Sequence, residues 1–147
     1  MSKVLFYTFK SFPYIDVFNT DELIILAKLS DDIKLLEDTI LKEKPEVVIG
    51  VGLVRGFSRF ERIAVNKFNK GQVSKNSIEY YDLSFPEKGF ENLKLSYKPT
   101  RSFCNWSAFK LAEFMEQNNL DSKLSFLHIN RKDRLELIKY LDSLRVI

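Results

Sequence analysis

Residues 47–54, VVIGVGLV, form an unbroken apolar stretch of strand length, and they restrict the fold more than any other part of the chain. A strand that is apolar on both faces must be covered on both, as happens at the centre of a parallel sheet between helices. Pro45 ends the helical pattern before it, and Gly50 and Gly52 mark places where another group comes close to the backbone. Residues 124–130, LSFLHIN, repeat the pattern with His128 near the carboxyl end. Two such strands predict an α/β fold, whose sites gather at the carboxyl edge of the sheet.

Between these strands, residues 104–117 read CNWSAFKLAEFMEQ, with Lys110, Glu113 and Gln117 recurring at helical spacing and most other positions apolar. The pattern predicts a mostly buried helix with one polar stripe, starting after residues 99–102 and stopping at Asn118 and Asn119. Its first turn carries Cys104, the only cysteine, and the next strand carries His128, the only histidine. An isolated cysteine or histidine is commonly a core residue. Here the helix start and the end of the following strand fall at one edge of the sheet, so the two side chains can meet. Unpaired backbone N–H groups and the positive end of the helix dipole are expected to lower the thiol pKa.

Residues 3–8 read as a first strand. The loop after it holds Phe9, Phe12, Pro13, Tyr14 and Phe18, a composition that suits equally a plug folded onto the core and the wall of a ligand pocket. Asn19 or Thr20 is expected to cap a short helix through DELIILAKL, and Ser30 with Asp31 and Asp32 to start a second, running to about Lys44. Beyond Gly56, FERIAVNKF alternates as a strand that would put Glu61, Ile63 and Val65 on one face. A carboxylate in such company needs a partner, for which Arg59, Arg62 or solvent are the simplest choices. Residues 69–98 predict one or two short strands off the main sheet. Asn130 is expected to cap a last helix with Asp133 in its first turn and Leu135, Ile138, Leu141 and Leu144 as its apolar stripe.

At 147 residues and 45% hydrophobic composition, the chain has enough core for one domain spanning residues 1–147. One cysteine allows no internal disulfide, which fits a reducing, cytoplasmic setting, and no apolar run approaches membrane-spanning length. The net charge of +3 arises from 23 basic and 20 acidic residues that are interspersed. Arg55, Arg59, Arg62, Lys67 and Lys70 come nearest to a basic patch, without the aromatic pattern of an RNA-binding module, and read as a solvated face. Neither nucleic acid nor a membrane is expected as a partner. One cysteine and one histidine make no metal set, and no cofactor-binding loop is present in the sequence.

Taken together, the segments around Glu61, Cys104 and His128 resemble pyroglutamyl-peptidase I, also called pyrrolidone-carboxylate peptidase, in a shortened and divergent form. GLVRGFSRFERIAVN is similar to the segment that carries the family's glutamate, CNW at residues 104–106 to its nucleophile motif, and FLH at residues 126–128 to its histidine strand. TFKSF at residues 8–12 looks like the family's GFxPF loop, whose phenylalanines hold the pyroglutamyl ring; those would be Phe9 and Phe12. Three departures stand out. Pro13 and Tyr14 replace glycines, Gly71 beside Lys70 occupies the place of an oxyanion arginine, and Phe103 replaces a smaller aliphatic residue and would reshape the pocket.

The resemblance implies a single three-layer α/β/α domain with a mixed, largely parallel sheet. It also implies thiol acyl transfer: Cys104 attacks, His128 moves the proton, and Glu61 orients the imidazole. The substrate would be a peptide or small amide with an N-terminal pyroglutamyl group held by Phe9, Phe12 and Phe103, with no metal and no cofactor. Self-association is open. The alternative is a degenerate member that binds a lactam-ended peptide or a protein partner without cleaving it.

Overall fold

A computed structural model describes residues 3–145. Its centre is a six-stranded sheet in the order β2 (Leu23–Leu26), β1 (Val4–Phe9), β3 (Val47–Val54), β8 (Lys123–Asn130), β4 (Arg59–Glu61), β7 (Lys94–Ser96). The first four strands are parallel; β4 runs antiparallel to β8 and parallel to β7. The sheet is therefore mixed and largely parallel, as expected. Two short strands, β5 (Ile63–Val65) and β6 (Tyr80–Asp82), form a separate antiparallel pair.

Three helices cover the sheet: α1 (Leu29–Glu43) and α2 (Phe103–Gln117) on one face, α3 (Arg134–Arg145) on the other. Strand alternation divides the core accordingly. Leu5, Tyr7, Val48, Leu124 and Phe126 pack with Leu36 and Ile40 of α1 and with Phe109 and Leu111 of α2. Phe6, Ile49, Val51, Leu127 and Ile129 pack with Leu137, Tyr140 and Leu141 of α3. His128 lies two residues beyond Phe126 and so faces α2, the helix that carries Cys104.

Both strand glycines do what their positions suggested. A Cβ on Gly50 would come within 2.4 Å of the Tyr7 ring and 2.6 Å of the Phe126 ring. One on Gly52 would meet Cys104 Sγ at 2.6 Å.

The structure corrects several local expectations. DELIILAKL is not a helix: residues 20–22 make one 3₁₀ turn, and Leu23–Leu26 form the edge strand beside β1. Asn19, expected to cap a helix, caps that turn instead, and the Glu22 carboxylate accepts the Asn19 N–H at 3.4 Å. Pairing with β1 outweighs the helical pattern of so short a segment. Helix α1 starts at Leu29, and Asp32 takes the capping role by accepting the Ala27 and Lys28 N–H groups at 2.7 and 2.8 Å.

The strand predicted through FERIAVNKF breaks at Arg62, so Glu61 and Ile63 belong to different sheets and Glu61 does not share a face with Ile63 and Val65. Residues 69–98 supply two strands, but β7 joins the main sheet rather than leaving it. Glu113 is buried under the loop that brings Asn76 to its carboxylate, which leaves the polar stripe of α2 incomplete. On α3 the buried side is Leu137, Tyr140 and Leu141, and Leu135 is exposed. Asn130 does not cap that helix: its amide N–H₂ donates to the Arg55 and Gly56 carbonyls and fixes the loop opposite.

Candidate active site

Helix α2 starts at Phe103, so Cys104 sits in its first turn at the carboxyl edge of the sheet. Asn105, the next residue, holds that turn in place. Its side-chain oxygen accepts the Val65 N–H at 2.8 Å, and its amide nitrogen donates to the Val65 and Lys67 carbonyls at 2.9 and 3.0 Å. Ser107 Oγ donates to the Cys104 carbonyl at 2.8 Å and lies 2.9 Å from the Tyr7 hydroxyl, tying the same turn to β1.

Cys104 Sγ lies over the Cα of Gly52, and Gly52 is the register partner of His128 on the neighbouring strand. A cavity of about 10 Å³ is lined by Cys104, His128 and Glu61, with Phe126, Ile63 and Asn105 among its other walls. The thiol shares this cavity with the imidazole and the carboxylate, and among the described residues no hydrogen bond joins Cys104 to His128.

His128 is 3% exposed and its ring packs edge-on against Phe126. Its Nδ1 is 2.7 Å from Glu61 Oε2. The acceptor is a carboxylate, so Nδ1 carries the proton in this pair and Nε2 is left for chemistry. Glu61 is 5% exposed, and Oε2 also accepts from Arg59 Nε at 2.9 Å. Arg59 is thereby withdrawn from the predicted solvated basic face; it is buried, donates further to the Phe57 carbonyl at 3.1 Å, and stacks on the Phe57 ring. Arg62 likewise turns away, donating to the Pro86 carbonyl. Sequence reasoning offered arginine or solvent as the partner of Glu61; the carboxylate takes Arg59 and His128 together.

The thiol departs from expectation. Burial pushes Cys104 up to about 12, outweighing a favourable hydrogen bond from Ser102, and the negative charge of Glu61 adds to the rise. Burial against β3 and β8 thus works against the lowering expected from the helix N-terminus.

Cys104 also reaches a larger groove of about 570 Å³, which Phe9, Phe12, Phe103, Gly52 and Ser102 help to line. Phe9 and Phe12 divide the two roles open to their loop. Phe12 is 4% exposed and packs with Phe18 and Tyr14 in the core beneath α3 while also lining the groove, whereas Phe9 packs on the α2 side against Tyr7 and Phe126. Phe103 is half-exposed and its ring packs at a tilt against Phe68. Gly71 closes a tight turn with Phe68, and the neighbouring Lys70 lines a different cavity, of about 600 Å³, together with Lys67 and Arg101.

Among the described residues, no group of three or more His, Cys, Asp and Glu side chains is placed to hold a metal ion, and no helix is long and apolar enough to cross a membrane.

No family model matches the sequence, and no curated protein matches it. Solved structures do. Pyroglutamyl peptidase I from Bacillus amyloliquefaciens is 19% identical, with 88% of this chain and 81% of that one aligned at a TM-score of 0.71. Pyrrolidone carboxyl peptidase from Thermococcus litoralis is 20% identical over 88% of this chain and 77% of its own, with a TM-score of 0.69. A mutant of the Pyrococcus furiosus enzyme is 17% identical over 87% and 80%, with a TM-score of 0.68. The chain has the fold of the pyrrolidone carboxyl peptidases.

Proposed function

We propose that this chain is a shortened member of the pyroglutamyl-peptidase I family and a cysteine-type peptidase that removes N-terminal pyroglutamyl groups. The observation that carries the reading is the buried His128–Glu61 pair, 2.7 Å apart, opening on the same small cavity as the Cys104 thiol. A fold shared with peptidases of that name supports it.

Chemistry follows from the tautomer. Glu61 holds Nδ1–H, so His128 Nε2 accepts the thiol proton as Cys104 Sγ bonds to the carbonyl carbon of the pyroglutamyl amide. The carbonyl pair moves onto oxygen, and the Cys104 backbone N–H at the start of α2 receives that charge. Collapse breaks the C–N bond as His128 returns the proton to the leaving amine. Water then gives its proton to His128 and its oxygen to the acyl carbon, the C–S bond breaks, and the thiol is protonated again. Burial raises the thiol pKa, which favours transfer of its proton to His128 as the bond to carbon forms.

A second reading, in which the groove binds a lactam-ended peptide or a protein partner without cleaving it, is favoured by Gly71 beside Lys70 in the place of the family's arginine and by Pro13 and Tyr14 in place of loop glycines. A fluorogenic pyroglutamyl amide separates the two. Turnover that disappears in Cys104→Ala and in His128→Ala, and after thiol alkylation, is expected of the peptidase. Saturable binding of a pyroglutamyl peptide with no turnover would establish the binder and sink the enzyme.

A further inference from the structure

The groove over Cys104 carries two cationic side chains and no carboxylate. Lys10 and Arg131 line it from opposite ends of the chain, the first from the loop after β1 and the second from the turn after β8. Both stand on pinned backbone. The Lys10 N–H donates to the Leu26 carbonyl at 3.1 Å, the Phe12 N–H closes the turn onto Phe9 at 2.9 Å, and the Tyr14 hydroxyl donates to the Arg131 carbonyl.

Neither cation is neutralised: among the described residues, no carboxylate forms an ion pair with Lys10 or Arg131. Three arginines elsewhere among the described residues are paired. Arg59 is paired with Glu61, Arg134 with Asp16 and Arg145 with Glu22. The remaining lining is apolar or neutral, including Phe9, Phe12, Leu26, Ala27, Leu29 and Leu53. An apolar trough whose lining also includes two cationic side chains without ion pairs fits a ligand that joins an uncharged ring to an anionic group.

Resting on the peptidase reading, we infer that the preferred substrate carries a carboxylate on the leaving-group side of the scissile amide, recognised by Lys10 and Arg131. A pyroglutamyl group in amide linkage has no charge, since its nitrogen is a lactam and its carboxyl carbon is bound in the scissile amide. The negative charge that the groove asks for must therefore lie on the amine half. Two sources share this chemistry: the free α-carboxylate of a dipeptide, and an acidic side chain on the residue after pyroglutamate.

The test compares pyroglutamyl-alanine, pyroglutamyl-alanine amide and pyroglutamyl-glutamate amide as substrates at low and high salt. Exposed cations of this kind are each worth a few-fold, so kcat/KM is expected to favour at least one anionic peptide over the neutral one by about three- to tenfold. The first peptide reports the α-carboxylate and the third the acidic side chain. Salt should shrink the ratio, and the double variant Lys10→Gln, Arg131→Gln should bring it to about one. A wild-type ratio of one, or a ratio that survives in the double variant, overturns the inference. Binding of the same peptides to Cys104→Ala, read by calorimetry, keeps the test independent of turnover. Absence of cleavage with charge-selective binding defeats the peptidase reading alone, and charged and neutral peptides binding equally, or not at all, defeat the inference.

Discussion

Glu61 holds His128 through a single carboxylate oxygen: Oε2 lies 2.7 Å from Nδ1 and also takes the Arg59 Nε–H, while Oε1 is buried with no partner. All three side chains are nearly out of solvent, so the arrangement is a buried charge network rather than a surface ion pair.

Substituting Glu61→Gln should therefore act on stability and chemistry together. The amide leaves the buried Arg59 guanidinium without a counter-charge and places an N–H₂ group where one of the two positions has no acceptor. A cost of about 3 kcal/mol in urea unfolding is expected. Losing the charge that supports a protonated imidazole should lower kcat/KM by about a hundredfold or more. An unchanged kcat/KM in a folded variant would remove Glu61 from the mechanism.

Thiol reactivity gives a second prediction, with a sign opposite to the one a helix N-terminus suggests. With Cys104 pushed up to about 12, alkylation by iodoacetamide should climb about tenfold per pH unit through neutrality, with no plateau below the ordinary thiol range. His128→Ala should change that profile little while abolishing turnover, because the imidazole acts during attack and not at rest. A raised folded-state pKa also means that the thiol's contribution to stability is present below the ordinary value of 9.0 and is lost as pH rises toward 12. Cys104→Ala should remove that alkaline loss. An acidic plateau that vanishes in His128→Ala would show a resting thiolate–imidazolium pair and overturn this account.

What could be read from the sequence tracks how local each feature's cause is. The strands β3 and β8 were legible because covered parallel strands have a composition that few other elements share, and the edge placement of Cys104 and His128 follows from connectivity alone. Segment 20–29 was misread because four apolar residues fit either period, and only pairing with β1 decides between them. The break at Arg62 was invisible for the same reason, since β4 and β5 alternate in phase and separate only because each finds a different partner strand. Burial of the thiol is a tertiary property, set by Gly52 and Phe126 from other elements. Arg59 was considered as a partner for Glu61, but nothing local to the sequence says that one oxygen serves both Arg59 and His128.

Gly52 makes a third prediction possible. A methyl group there would sit 2.6 Å from Cys104 Sγ and 3.2 Å from the Phe126 ring, so the thiol or helix α2 must move. Overpacking of this kind costs about 1–3 kcal/mol. Gly50→Ala should cost as much or more, because the Tyr7 and Phe126 rings it would strike are buried and have no room to yield. The two variants differ in what else they disturb. Gly52→Ala should lose activity out of proportion to its stability, as displacement of the nucleophile by even 1 Å can cost about a hundredfold. Equal losses of activity in the two variants at equal stability would mean that the thiol position is not what Gly52 protects.

Asn105 supplies the last prediction, because it is the joint between the helix that carries the thiol and the backbone beside it. Buried at 6% exposure, its amide makes three hydrogen bonds to the backbone at Val65 and Lys67, and no other side chain makes these bonds. Asn105→Ala removes the partner of the Val65 N–H and of the two part-buried carbonyls, and such a loss costs about 1 kcal/mol, up to about 3 kcal/mol for the groups water cannot reach. Loss should be local before it is global, since α2 keeps its apolar face while β5 loses its tie to the first turn. Hydrogen exchange reads this directly: protection at Val65 should fall well before protection at Val48 or Leu127 in the central strands. Asn105→Asp is the sharper control. It can still accept the Val65 N–H but turns two donor contacts into carboxylate facing carbonyl oxygens, and it sets a negative charge one residue from Cys104. That variant should be less stable than Asn105→Ala and should slow alkylation of the thiol further. Uniform loss of protection across the sheet in both variants would show that Asn105 holds the fold as a whole and not the placement of Cys104.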